Sequence, residues 1–176
     1  MPIHTDGPWL KDEHGRTLLL RGVNLGGSTK VPHTPNGATH IAEGVYDHRN
    51  VSFIGRPFPL DEAHEHYARL RAWGLTFLRL LTTWEAVEHA GPGVYDAAYL
   101  DYLHEVVGRA ADYGIQVFID FHQDVWSRFS GGDGAPGWTL EAVGFDLPSL
   151  AESGAALLHW AEGDAYPQMT WYTNNF

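Results

Sequence analysis

Gln116-Val117-Phe118-Ile119-Asp120-Phe121-His122-Gln123-Asp124 runs from a mostly apolar, β-prone stretch straight into three ionisable residues at alternate positions. Side chains of an extended segment repeat every two residues, so Asp120, His122 and Asp124 share one side wherever the extension persists. A buried strand ending in such a cluster is how parallel α/β folds assemble their sites, because ligands gather at the carboxyl ends of strands. Forty residues earlier a second strand-like run, Thr76 to Leu81, carries Arg79 near its end. Two such units in register predict one polar site.

The surrounding chain repeats the same plan. Trp73-Gly74-Leu75-Thr76-Phe77-Leu78 aligns with Tyr113-Gly114-Ile115-Gln116-Val117-Phe118 at an offset of 40. Ahead of the first copy, Leu60, Ala63, Tyr67 and Leu70 form one apolar helix face, with Pro59 in the first turn and Gly74 as a left-handed cap. Ahead of the second, Asp96 offers an N-cap oxygen, Leu100, Leu103, Val107 and Ala110 make the stripe, and Gly114 ends the helix. Helix, aromatic-Gly stop and apolar strand, twice over, predict a β/α repeat feeding a parallel sheet. An earlier strand is expected at Leu18-Leu19-Leu20 with Val23, entered through the turn Asp12-Glu13-His14-Gly15. Residues 24–59 read as a long irregular loop of the kind that is usually functional or mobile. From Ser130 the chain reads as loop, with a weak helix from Pro148 to Trp160 and no periodicity from Tyr166 to Phe176.

Composition bounds the function. The chain has 176 residues, 22 acids against 11 bases, a net charge of −11 and no cysteine. Disulfides and thiolate metal sites are excluded. The acidic balance argues against nucleic acid or anionic membrane as partner, both of which select basic surfaces. No apolar run is long enough for a membrane span. Met1-Pro2-Ile3-His4-Thr5-Asp6 lacks a basic region followed by an apolar stretch, so no secretory signal is expected and a cytoplasmic location is. His33, His40, His48, His64 and His66 read as scattered surface imidazoles rather than a metal set. Three strands and two helices do not close a barrel, which takes about 250 residues; the sequence reads as the front part of something larger.

Several segments, in order, resemble one family: Leu20-Arg21-Gly22-Val23-Asn24-Leu25, the strand from Gly74 to Arg79, Gly93-Val94-Tyr95-Asp96 with Tyr99-Leu100, and Phe118-Ile119-Asp120-Phe121-His122-Gln123. Together they resemble the opening half of a family 5 glycoside hydrolase. His122-Gln123-Asp124-Val125-Trp126-Ser127 and Gly132-Asp133-Gly134-Ala135-Pro136-Gly137-Trp138 look like its endoglycoceramidase-related branch, which includes β-glucosidases acting on glucosylceramide and steryl glucosides. The resemblance implies an α/β fold, the N-terminal portion of a (β/α)8 barrel with about three β/α units. Residues 1–176 are then a single partial catalytic domain that ends before the fourth barrel strand. It implies a retaining β-glucosidase type of chemistry on a β-glucoside with an apolar aglycone, without cofactor or metal. The family's acid/base is the Glu of an Asn-Glu pair, and none of the ten glutamates here follows an Asn. No catalytic residue is therefore assigned, and the missing C-terminal half of the barrel becomes an expected partner.

The expected substrate-binding residues are Lys30, Arg79, Asp120, His122, Asp124 and Trp138. Arg79 is suited to keep a neighbouring carboxylate ionised. His122 can donate or accept toward sugar hydroxyls, and the resemblance places a sugar-contacting His there. Asp120 and Asp124 offer acceptors that suit a polyol, although Asp120 also reads as a buried structural acceptor. The resemblance marks Lys30 as a sugar-contacting Lys and Trp138 as an apolar wall, against solvated and packed alternatives. Glu85 and Glu88 do not match the family's catalytic positions. Two rival readings stand beside this one. One is a non-catalytic glucoside-binding fragment. The other is a metal-dependent phosphoesterase, suggested by Asp120-Phe121-His122 but lacking the further metal-binding segments such enzymes need.

Overall fold

The structure, a computed structural model, describes residues 3–35 and 39–162. A short antiparallel hairpin, β1 (His4–Asp6) and β2 (Trp9–Lys11), opens it. The main sheet has three parallel strands in sequential order, β3 (Gly22–Leu25), β4 (Phe77–Thr82) and β5 (Gln116–Phe121). Helix α1 (Ala63–Ala72) leads into β4, and α2 (Trp84–Glu88) with α3 (Ala97–Asp112) separates β4 from β5. Short helices α4 (Gly137–Ala142), α5 (Leu147–Glu152) and α6 (His159–Glu162) follow. This is an α/β fold, the N-terminal portion of a (β/α)8 barrel. Among the described residues no helix is long and apolar enough to cross a membrane.

Period-two alternation in β4 sorts its residues between two faces. Leu78 and Leu80, each 1 % exposed, pack with Tyr67 and Leu70 of α1 and with Leu103, Val106 and Ala110 of α3. Each such fully buried leucine contributes roughly 1.5–3 kcal/mol. Arg79 projects from the opposite face, toward the interior that a barrel would enclose. Buried tyrosines tie the helices together: Tyr67 donates to the Val106 carbonyl at 2.7 Å and Tyr102 to the Phe58 carbonyl at 2.6 Å.

The predicted caps form. The Asp96 carboxylate accepts from the Tyr99 N–H at 2.9 Å, and Gly74 and Gly114 take φ of +75° and +63° where their helices end. Other expectations shift. The first barrel strand is Gly22–Leu25, not the leucine triplet, and Leu19 is 85 % exposed. Apolarity marked the triplet, but close pairing needs Gly22, where a Cβ would sit 1.6 Å from the Phe77 carbonyl oxygen. Helix α1 starts at Ala63, because Pro59 to Glu62 form a turn with the Glu62 N–H on the Pro59 carbonyl. The single helix expected from Pro148 to Trp160 is broken into α5 and α6 around Gly154, whose φ is +69°. Beyond Ser130 the chain is not all loop, since α4 begins after Pro136. His48 is buried, not a surface imidazole, and bonds Glu141 at 3.1 Å. Strand β5, expected to be buried, leaves Phe118, Ile119 and Phe121 exposed, because among the described residues it is an edge of the sheet. The stretch from Tyr166 to Phe176 lies outside the described residues.

Candidate functional site

The carboxyl ends of β4 and β5 bring four charged or titratable side chains, Arg79, Asp120, His122 and Asp124, into one connected network. Arg79 faces Phe118 in register, while Asp120 faces Leu81. The long guanidinium therefore reaches diagonally, and its Nη2 lies 2.7 Å from Asp120 Oδ2. Asp120 and His122 share a face two residues apart, with Asp120 Oδ2 3.1 Å from His122 Nδ1. The extended path continues past β5, since the His122 N–H donates to the Thr82 carbonyl at 2.8 Å. On the far side of the ring, Nε2 stands 2.9 Å from Asp124 Oδ2. Each ring nitrogen of His122 thus faces a carboxylate.

Lys30 closes the network from another element. It ends a single 3-10 turn, Gly27–Lys30, directly after β3. Its ammonium lies 2.8 Å from Asp124 Oδ2 and 3.2 Å from Asp133 Oδ2. Burial works against the Lys30 charge, but hydrogen bonds to Asp124 and Asp133 outweigh it and push the ammonium above its ordinary value. Hydrogen bonds from Lys30 and His122 hold the Asp124 carboxyl below the usual range. Asp133 moves the other way, because burial pushes it up more than Lys30 and His122 pull it down. Exposure rises from Asp133 through His122 to Asp124, so the network has a buried base and an open rim.

Five of the six predicted site residues, Lys30, Arg79, Asp120, His122 and Asp124, are therefore brought together. The bonds that fix Trp138 run instead to α2: its indole N–H donates to the Glu88 carbonyl at 2.7 Å, and its ring meets Trp84 edge-on at 5.6 Å. Trp84 also meets Trp126 edge-on at 6.3 Å. Glu85 is buried, 1 % exposed, and paired with Arg128 Nε at 2.8 Å. Glu88 accepts from the Trp84 indole at 2.5 Å and from the Gly93 N–H. Both glutamates are engaged in holding α2 and the loops around it.

Asp133 is the member that the sequence reading did not single out. It lies across an isolated antiparallel bridge from Asp124, with reciprocal N–H to carbonyl bonds of 2.9 and 2.8 Å. Its signal was the glycine on either side of it. Among the described residues, His122, Asp124 and Asp133 form one group whose ligand atoms lie within 4.8 Å of each other, the chemistry of a metal site. The Lys30 ammonium already sits against both carboxylates of that group, so the donor set is matched to a fixed organic cation.

A family model described as Cellulase (glycosyl hydrolase family 5) matches residues 38–143. The chain is 53 % identical to a glucosylceramidase of Rhizopus delemar over 99 % of its own length and 26 % of the relative's. It is 42 % identical to the ergosteryl-beta-glucosidase of Saccharomyces cerevisiae, over 99 % of this chain and 25 % of that one. The crystal structure of Cryptococcus neoformans sterylglucosidase 1 superposes with a TM-score of 0.86 at 45 % identity, covering 98 % of this chain and 25 % of that one. The chain spans about a quarter of the length of the relatives it matches.

Proposed function

The chain belongs to glycosyl hydrolase family 5, and from that premise we propose that it supplies the sugar-binding half of a retaining β-glucosidase site for lipid glucosides such as glucosylceramide or steryl glucoside. The carrying observation is the Lys30–Asp124–His122–Asp120–Arg79 network at the strand tips. A glucose ring presents hydroxyls that each donate and accept. Carboxylates can only accept, while Lys and Arg can only donate, so alternating the two types gives each hydroxyl a complementary partner. The names of the matched relatives, a glucosylceramidase and an ergosteryl-beta-glucosidase, support an apolar aglycone.

In this reading His122 and Asp124 take the outer sugar hydroxyls and Lys30 donates beside them. Arg79, held by Asp120, is placed to keep a carboxylate nucleophile ionised. A retaining reaction needs an acid/base and a nucleophile roughly 5 to 5.5 Å apart. Both come from polypeptide outside residues 1–176, the C-terminal half of the barrel, which is the partner this reading requires. A non-catalytic glucoside-binding chain is the second reading. It is favoured by Glu85, the glutamate just past the β4 tip, being locked in its pair with Arg128.

The test combines binding and turnover. Purified residues 1–176 should bind methyl β-glucoside saturably in calorimetry, lose that binding in His122→Ala, and leave a chromogenic β-glucoside intact. Co-expression with the C-terminal half of a matched relative's barrel should restore hydrolysis. Absence of saturable glucoside binding would overturn the reading; binding without restored hydrolysis would favour the non-catalytic one.

A further inference from the structure

Asp133 is ionisable, yet only 4 % exposed. Its Oδ2 holds Lys30, but its buried Oδ1 has no hydrogen-bond partner and lies 4.0 Å from His122 Nε2. The backbone delivers it there with no slack. A Cβ on Gly132 would stand 1.8 Å from the Asp124 carbonyl oxygen, and Gly134, at φ +120°, would place one 2.8 Å from Gln123 Cγ. An acceptor left unpaired in the interior costs stability, which points to a use beyond folding.

We propose that Asp133 is a positioning residue of the glucoside site: Oδ2 fixes the Lys30 ammonium beside Asp124, and Oδ1 stands ready to take the His122 Nε2 proton donor when a sugar hydroxyl claims Asp124. This rests on the glucoside reading above. Lys30 has a flexible stem and three rotatable donors, and Asp124 is half exposed, so neither fixes the other alone. A hydroxyl that donates to Asp124 Oδ2 competes with the ring N–H directed at the same atom. A shift of about 1 Å brings Nε2 from 4.0 Å to hydrogen-bond distance of Asp133 Oδ1. His122 then stays oriented through ligand entry, and burial, which raises the Asp133 carboxyl against the pull of Lys30 and His122, makes that oxygen a ready acceptor.

The experiment uses the 176-residue chain and two readouts, an NMR titration of Lys30 Nζ and calorimetry with methyl β-glucoside. Asp133→Asn should lower the Lys30 titration midpoint and weaken glucoside binding about tenfold, the value of one hydrogen bond to a charged group. In a Lys30→Met background the same substitution should add little, since the two act as a unit. Loss of affinity together with an unmoved Lys30 titration would assign Asp133 a merely structural role and overturn the proposal. If wild type does not bind methyl β-glucoside while Asp133→Asn still moves Lys30, the glucoside reading has failed and takes the sugar-facing half of the proposal with it. If Asp133→Asn does not fold, Lys30→Met reads the contact from the other side. The Asp133 carboxyl should then titrate higher than in wild type, and an unchanged value overturns the proposal.

Discussion

Lys30 and Asp124 are 94 residues apart in sequence and meet with Nζ 2.8 Å from Oδ2. That contact ties the turn after β3 to the segment after β5, so the site is held together by charge as well as by the sheet. Its consequences for pH follow from the two groups' shifts. Asp124 is depressed, so its contribution is present above the ordinary 3.8 and lost as pH falls through its lowered value. Lys30 is raised, so its contribution is complete below 10.5 and lost as pH rises through its raised value. Asp133, pushed up by burial, works the other way: its ionisation opposes folding, and protonating it as pH falls through its raised value relieves that cost while ending its pull on Lys30. The stability difference between wild type and Lys30→Met should therefore be flat from neutral pH to 10.5 and shrink on both sides, as read by urea unfolding across pH.

Gly132 and Gly74 make a controlled pair. Gly132→Ala would drive a Cβ into the Asp124 carbonyl at 1.8 Å, with backbone on the other side of the contact. It should cost about 1–3 kcal/mol or more and abolish glucoside binding, since Asp124 and Asp133 move with the bridge. Gly74→Ala meets nothing within 4 Å and is strained only by its φ of +75°. It should cost about 1 kcal/mol and leave binding unchanged. Denaturant midpoints and calorimetry separate the two.

Arg128 neutralises Glu85 in the interior at 2.8 Å, donates to the Val45 carbonyl at 2.7 Å and stacks over Phe129. Arg128→Ala strands a buried carboxylate and should destabilise by roughly 3–5 kcal/mol. Combining it with Glu85→Leu should recover part of that loss, because the isolated charge is gone. Thermal unfolding of the single and double variants checks the order.

Burial pushes the Tyr67 hydroxyl up to about 12, against a smaller opposing pull from Arg109. The folded state therefore keeps its phenol neutral while the unfolded chain ionises near 10. Stability should be intact below pH 10 and fall as pH rises toward 12, by about 2–3 kcal/mol from this group. Tyr99 and Tyr102 are pushed up by burial as well, so Tyr67→Phe should make the alkaline limb shallower without removing it, and cost about 1 kcal/mol at neutral pH through the lost bond to Val106. Ultraviolet tyrosinate titration alongside denaturation measures both.

The parts legible in the sequence are those where one local signal decides the outcome. Asp96, Gly74 and Gly114 announce helix ends by their own chemistry, and Asp120, His122 and Asp124 share a side because extended chain alternates. The parts that escaped depend on distant backbone. Gly22 sets β3 because the Phe77 carbonyl leaves no room for a side chain, and no count of leucines reports that. Helix α2 is capped by Thr83 on the Ala86 N–H and anchored by the Glu85 N–H on the Gly134 carbonyl, a contact across 49 residues. Trp138 and Asp133 lie in the same glycine-rich run. The chain path sends one toward α2 and the other beneath Lys30, which residue type alone does not foretell.

The central claim is that the strand-tip network binds a glucoside, and the most direct measurement is a chemical-shift map of residues 1–176 titrated with methyl β-glucoside. The account predicts saturable shifts concentrated at Lys30, Arg79, His122, Asp124 and Asp133, all abolished by His122→Ala. Shifts confined to another surface, or no saturable shifts, would contradict it.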